Sequence, residues 1–142
     1  MSYADKSDGT RYERVRRASS VHTPGDELRK LGCDPDDAVR ASVIGNTSPA
    51  IPDAFIQELA TKALRSSNWV LRQAVAASVR VTLDQHREVA TERHWYICMA
   101  LVNNPVCPQD LLEEFAKYPR EGQKDLKEVR ELARLRLGWS RP

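Results

Sequence analysis

The fold is decided by the stretch ICMALVNNP at residues 97–105, because other parts of the chain repeat its pattern. The stretch VRASVIGNT at 39–47 has the same apolar first, fifth and sixth positions and the same Asn at the eighth. LRQAVAAS at 71–78 has Ser in place of that Asn, and weaker copies begin at positions 15 and 129. These starts recur at intervals within the range of roughly 20–50 residues that indicates stacked repeats, in which no unit buries its apolar face alone.

Each pattern is followed by a polar turn and then by a second amphipathic segment. After Asn104 the chain has two prolines and then LLEEFA at residues 111–116. After Asn46 it has two prolines and then FIQELA at residues 55–60. Proline is favoured at the first position of a helix, where its missing N–H costs nothing. The sequence therefore predicts an all-α fold of about four to five irregular units, each made of a helix, a turn and a second helix.

The motif resembles the variant leucine-rich repeat family, whose units read roughly Val-Arg, two residues, Val-Ala, one residue, Asn-Pro, a Pro, then Leu-Leu and Leu-Ala. The matching stretches are 96–119, 37–60 and 69–91, and the resemblance spans about residues 13–137. HEAT-like repeats share the Val/Ala/Leu spacing. The resemblance implies a short right-handed α-solenoid without catalytic activity. One member of that family binds an iron–sulfur cluster through clustered N-terminal cysteines, which this sequence lacks, so no cofactor is expected.

Composition suits one small helical domain, with 41% hydrophobic and 30% charged residues in 142. We expect a flexible lead-in at residues 1–12, the helical repeat domain at 13–137 and a tail at 138–142. No apolar run is long enough for a transmembrane helix, and no signal peptide is expected. Three cysteines without a CxxC motif favour a reduced, cytoplasmic protein over a disulfide scaffold.

The apolar residues that open three of the repeats predict a core. Val39, Leu71 and Ile97 should occupy equivalent buried positions in stacked helices. Trp69 and Trp95 each lie two residues before such a position, so we interpret them as packing between units. The alternative is that they anchor a partner or stack on a base. The tail residue Trp139 is expected to be exposed, either as part of a short docking peptide or folded back on the last helix.

A register of arginines follows the leading apolar residues and supplies the candidate binding residues. One interpretation is a ligand-facing line that tracks phosphates or an acidic helix through bidentate hydrogen bonds. The other is an internal ladder, in which each arginine binds carbonyls or a nearby acid such as Asp36 or Asp37. Cys98 is the exception in this register. The candidate partner-binding residues are Arg16, Arg40, Arg72, Arg130 and the tail residue Trp139.

The sequence has no recognisable catalytic or metal-binding motif. Its three histidines form neither an HExxH motif nor a zinc-spaced cluster with cysteine. We therefore expect no enzyme, no metal and no small-molecule substrate, and a function in binding another protein. The alternative is a nucleic-acid binder that uses the arginine register and the basic ends, although a net charge of +2 does not demand one. A HEAT-like DNA glycosylase is a weaker alternative.

Overall fold

A computed structural model describes residues 9–118 and 126–139. Within these ranges the chain forms helices and no strand, so the prediction of an all-α fold is confirmed. No helix in these ranges is long and apolar enough to cross a membrane. The helices are α1 (Arg11–Ser19), α2 (Gly25–Leu31), α3 (Asp37–Ile44), α4 (Asp53–Arg65), α5 (Trp69–Ala77), α6 (Leu83–Ala90), α7 (Trp95–Val102), α8 (Gln109–Ala116) and α9 (Lys127–Leu137).

Short polar side chains begin several of these helices. Thr10, Asp36, Asn68 and Thr82 each accept a hydrogen bond from a backbone N–H of the first turn, which satisfies a donor that has no partner inside the helix. Prolines occupy the N-cap of α2, α4 and α8, one residue before the position predicted from the sequence. Because α1 begins at Arg11, the end of the predicted lead-in at 1–12 is helical; residues 1–8 lie outside the described ranges.

The helices form two layers. In the odd-helix layer, made of α1, α3, α5, α7 and α9, each helix packs against the next member of the layer. The even-helix layer, made of α2, α4, α6 and α8, packs against the first one from the other side. Its helices contact one another less, and among the described residues α4 and α6 form its main contact. The apolar core lies between the layers.

The structure corrects the register of the first unit. Helices α1, α5 and α9 begin at positions 11, 69 and 127, which are equally spaced, and α3 and α7 begin at 37 and 95. The interval in sequence between successive helix starts therefore alternates. It is shorter from α1 to α3 and from α5 to α7, and longer from α3 to α5 and from α7 to α9. On this register Arg14 is equivalent to Arg72, whereas the sequence pattern had assigned that position to Arg16. The weak copy at position 15 was misaligned, because α1 has few apolar residues to fix its phase.

The predicted core positions are buried. Val39 and Ile97 are fully buried and Leu71 is 2% exposed, so these equivalents are confirmed as core residues. Leu59 and Phe115 meet the core from the even-helix layer.

The prediction that Trp69 and Trp95 are buried between units and that Trp139 is exposed was wrong. Trp69 is 54% exposed and Trp95 is 45% exposed. Positions two residues apart on a helix differ by about 200° around its axis, so a side chain two positions before a core residue points away from the core. Trp139 is partly buried instead of exposed, since Gly138 ends α9 with φ +71° and turns the chain back. The Arg134 guanidinium lies 5.6 Å from the centre of the Trp139 ring.

Candidate binding surface

Arg72 forms hydrogen bonds within the protein. Its Nη1 donates to the carbonyl oxygens of Leu64 (2.9 Å) and Ser66, at the end of α4, and its Nε lies 2.6 Å from a carboxylate oxygen of Glu92. No further turn of the helix follows to donate N–H groups to these carbonyls, so the guanidinium serves as their donor. This geometry is that of the internal ladder.

Two residues in the corrected register repeat this arrangement. The Nε of Arg14 lies 2.9 Å from Asp34 Oδ2, and its Nη1 donates to the Gly9 carbonyl at 3.1 Å. Arg130 is buried and donates to the Tyr118 carbonyl, just beyond α8, at 3.4 Å. Both guanidiniums are directed at the protein itself.

The other two predicted arginines differ from Arg72. Arg40 pairs with Asp37, one of its two predicted partners, and remains partly exposed. Asp36, the other, caps α3 and pairs with Arg11 at 2.6 Å. Arg16 is exposed and forms no hydrogen bond or ion pair with another residue in the described ranges.

A second set of side chains links the odd-numbered helices, and its role was missed in the sequence. The Asn46 Nδ2 donates to the carbonyls of Ala18 (2.8 Å) and Ser20 (2.9 Å), at the end of α1. Two units further along the array, the Asn104 Nδ2 donates to the carbonyls of Ala76 and Ser78, at the end of α5, both at 2.9 Å. The identical geometry shows that these asparagines join neighbouring units.

Arginines take the same role at the other two joints. The Arg80 Nη1 donates to the carbonyls of Asn46 (3.1 Å) and Ser48 (2.8 Å), after α3. The Arg136 Nη1 donates to the carbonyls of Val102 (2.9 Å) and Asn104 (2.7 Å), at the end of α7. We call the set Asn46, Arg80, Asn104 and Arg136 the carbonyl ladder. The signal in the sequence was the separation of the two asparagines, which equals that of the starts of α1 and α5.

The outward side of the odd-helix layer is uncharged on α3, α5 and α7 and, apart from Arg16 at its end, on α1, although 30% of the chain is charged. We call this surface the odd-helix face. On α3 and α5 its side chains are mostly small, and on α7 they are larger. Its members are Tyr12, Val15 and Ser19 on α1; Ala38, Ala41 and Gly45 on α3; Val70, Gln73 and Ala77 on α5; and Tyr96, Met99 and Asn103 on α7.

Aromatic side chains gather where α5 and α7 begin. The rings of Trp69 and Tyr96 meet edge to face with centroids 5.3 Å apart. The His94 ring stacks on Tyr96 at 5.4 Å, nearly parallel to it. Together with the half-exposed Trp95, they place a broad aromatic surface at the edge of the odd-helix face.

Burial shifts the pKa of two cysteines and one histidine in the interior. Burial raises the pKa of the Cys98 and Cys107 thiols to about 11, which keeps both protonated and unreactive near neutral pH. Burial lowers the pKa of His86, whose Nε2 lies 2.9 Å from the Ser78 carbonyl. Within residues 9–118 and 126–139, no group of three or more His, Cys, Asp or Glu residues is arranged to hold a metal ion.

Comparison of the chain with models of protein families, with curated proteins and with solved structures found no match. The resemblance to variant leucine-rich repeats therefore stays a prediction from the motif.

Proposed function

We propose that the chain is a short right-handed α-solenoid without catalytic activity, whose odd-helix face binds another protein. The observation that carries this proposal is the absence of charge from the odd-helix face, beside the exposed Trp69 and Trp95. Protein interfaces are depleted of charge at their centre and enriched in aromatic residues and methionine. Tryptophan and tyrosine also dominate the residues that carry most of the binding energy.

The packing of the layers supports this choice of surface. The odd-numbered helices pack closely along the array, while the even-numbered helices lie further apart. In a curved array of helices the layer with the closer packing is the inner one, so we place the odd-helix face on the concave side of the proposed solenoid. Curved inner surfaces of this kind are the binding surfaces that repeat proteins commonly use.

The arginines favour a protein over a nucleic acid as the partner. Arg72 and Arg130 bind carbonyls of the chain, and Arg14 pairs with Asp34. In the basic N-terminal cluster, Arg11 and Arg17 are also paired with carboxylates, those of Asp36 and Glu27. A nucleic-acid binder needs cationic side chains that are available to neutralise phosphates and release the counterions of the nucleic acid. These arginines are already engaged with carbonyls and carboxylates of the chain itself.

A comparison of variants in affinity capture tests the proposal. Met99→Glu places a charge on α7, between the other two members of the odd-helix face on that helix, and Ala54→Glu places the same charge on an exposed position of α4 in the other layer. Mass spectrometry of proteins captured from the native host should identify a partner that the native chain and Ala54→Glu retain and Met99→Glu loses. Thermal melting monitored by circular dichroism checks that both variants fold.

Loss of the partner from both variants, or from neither, would exclude the odd-helix face as the binding surface. The salt dependence of binding distinguishes a protein partner from a nucleic acid. A nucleic acid bound through phosphates should dissociate steeply with salt, with a slope near −0.9 per neutralised phosphate, whereas an apolar protein interface should change little.

A further inference from the structure

The odd-helix face lies between side chains of opposite charge. At one end, the exposed Arg16 of α1 has no ion-pair partner among the described residues. At the other end, Glu128 and Glu131 are exposed on the outward side of α9, in the positions that Val70 and Gln73 occupy on α5. A segment that crosses the whole layer therefore meets a cation first, then an uncharged centre, and finally two carboxylates.

The size of the layer sets the length of such a segment. Helices that pack together have axes about 8–10 Å apart, so four steps from α1 to α9 span roughly 32–40 Å. An α-helix rises about 1.5 Å per residue, and roughly 21–27 residues cover that distance. An extended chain at about 3.3 Å per residue would need only about 10–12.

The chemistry of the face favours a helix over an extended chain. An extended segment must find partners for its backbone N–H and C=O groups when it leaves water. The central part of the face offers it little, since Gln73 is the one amide side chain among its members on α3 and α5. A helix satisfies its own backbone, and the small side chains Ala41 and Ala77 let it approach closely.

We propose that the odd-helix face binds an amphipathic helix of a partner protein, with acidic residues at the end near Arg16 and basic residues at the end near Glu128 and Glu131. This inference rests on the proposed function and adds the form and charge of the partner. Helices that lay an apolar face into a groove are a recurrent mode of protein recognition. The end charges fix the register of the helix on the face.

Three synthetic helical peptides test the proposal, each of about 24 residues, the length that spans the layer at the rise of an α-helix. They share one Leu/Ala face and differ only at their ends: glutamates at one end and lysines at the other, lysines at both ends, or glutamates at both ends. Fluorescence anisotropy of labelled peptides gives their affinities for the native chain. The peptide with opposite charges should bind best, by about threefold or more over each of the others at low salt, and this margin should shrink at high salt.

Two variants make the test specific. Arg16→Glu gives the face acidic groups at both ends, so it should transfer the preference to the peptide with lysines at both ends. Met99→Glu should weaken the binding of all three peptides. If no peptide binds, or if Arg16→Glu leaves the preference unchanged, the proposal is wrong. If the captured partner nevertheless remains sensitive to Met99→Glu, the protein-binding function stands and only the helical, oppositely charged partner is excluded.

Discussion

Replacing Asn104 by Ala should destabilise the protein strongly, although it removes only one small polar side chain. The substitution leaves the Ala76 carbonyl and the Val106 N–H without their partners, which lie 2.9 and 3.0 Å from the Asn104 amide group. The Ser78 carbonyl keeps the hydrogen bond to His86. A buried polar group that loses its partner costs about 1–3 kcal/mol, so we expect a loss of about 2–4 kcal/mol in the free energy of unfolding.

The neighbouring Asn103 provides a matched control. It is exposed, and its Nδ2 donates to the Met99 carbonyl of its own helix at 2.9 Å. Asn103→Ala changes the same atoms next to the joint and should cost within about 0.5 kcal/mol, as surface substitutions usually do.

Thermal unfolding followed by circular dichroism measures the difference. At about 2.1 cal/mol/K per residue, a chain of 142 residues loses roughly 3 °C in Tm for each kcal/mol. Asn104→Ala should therefore melt about 7–13 °C below the native chain, and Asn103→Ala within about 2 °C of it. If the two variants melt together, the amide of Asn104 does not hold the units together and the carbonyl ladder has no energetic role.

Three further predictions test other parts of the structure. Burial lowers the pKa of His86, so its neutral form stabilises the fold above about pH 6.5 and this contribution is lost as the pH falls below that value. The melting temperature of His86→Leu should therefore fall less between pH 7.5 and pH 5 than that of the native chain. In urea unfolding, Arg72→Glu should cost more than about 2 kcal/mol, because two carbonyls and a carboxylate lose their donor, whereas Arg16→Glu should cost within about 0.5 kcal/mol; equal costs would contradict the internal ladder. Iodide should quench a variant that retains only Trp69 more than one that retains only Trp139; the reverse order would contradict the described burial.

The helices and their core could be predicted from the sequence because periodicity alone determines them. Apolar residues at helical spacing, as at Val39, Val43 and Ile44, must share one side of a helix, and that side must be covered. The same argument does not give the position of Trp69. A matched register shows that two residues are equivalent, but it does not show which side of the layer they occupy. That depends on the rotation between Trp69 and Leu71.

The carbonyl ladder could not be predicted because its partners are distant in sequence. Asn46 lies in the polar turn after α3, and its Oδ1 accepts a local hydrogen bond from the Ser48 N–H at 2.8 Å. Its Nδ2, however, donates to the carbonyls of Ala18 and Ser20, which belong to the preceding odd-numbered helix and its end. No propensity or spacing within one unit encodes that contact, since it exists only after two helices have packed together.

The two kinds of donor in the ladder accompany the two lengths of repeat step. Asn46 and Asn104 join helices whose starts are separated by the shorter interval in the sequence. Arg80 and Arg136 join helices whose starts are separated by the longer interval in the sequence. Arg80 also reaches Asp53 at 2.7 Å and the Ile51 carbonyl. These two arginines therefore hold joints between the odd-numbered helices, and the members of the odd-helix face carry no charge.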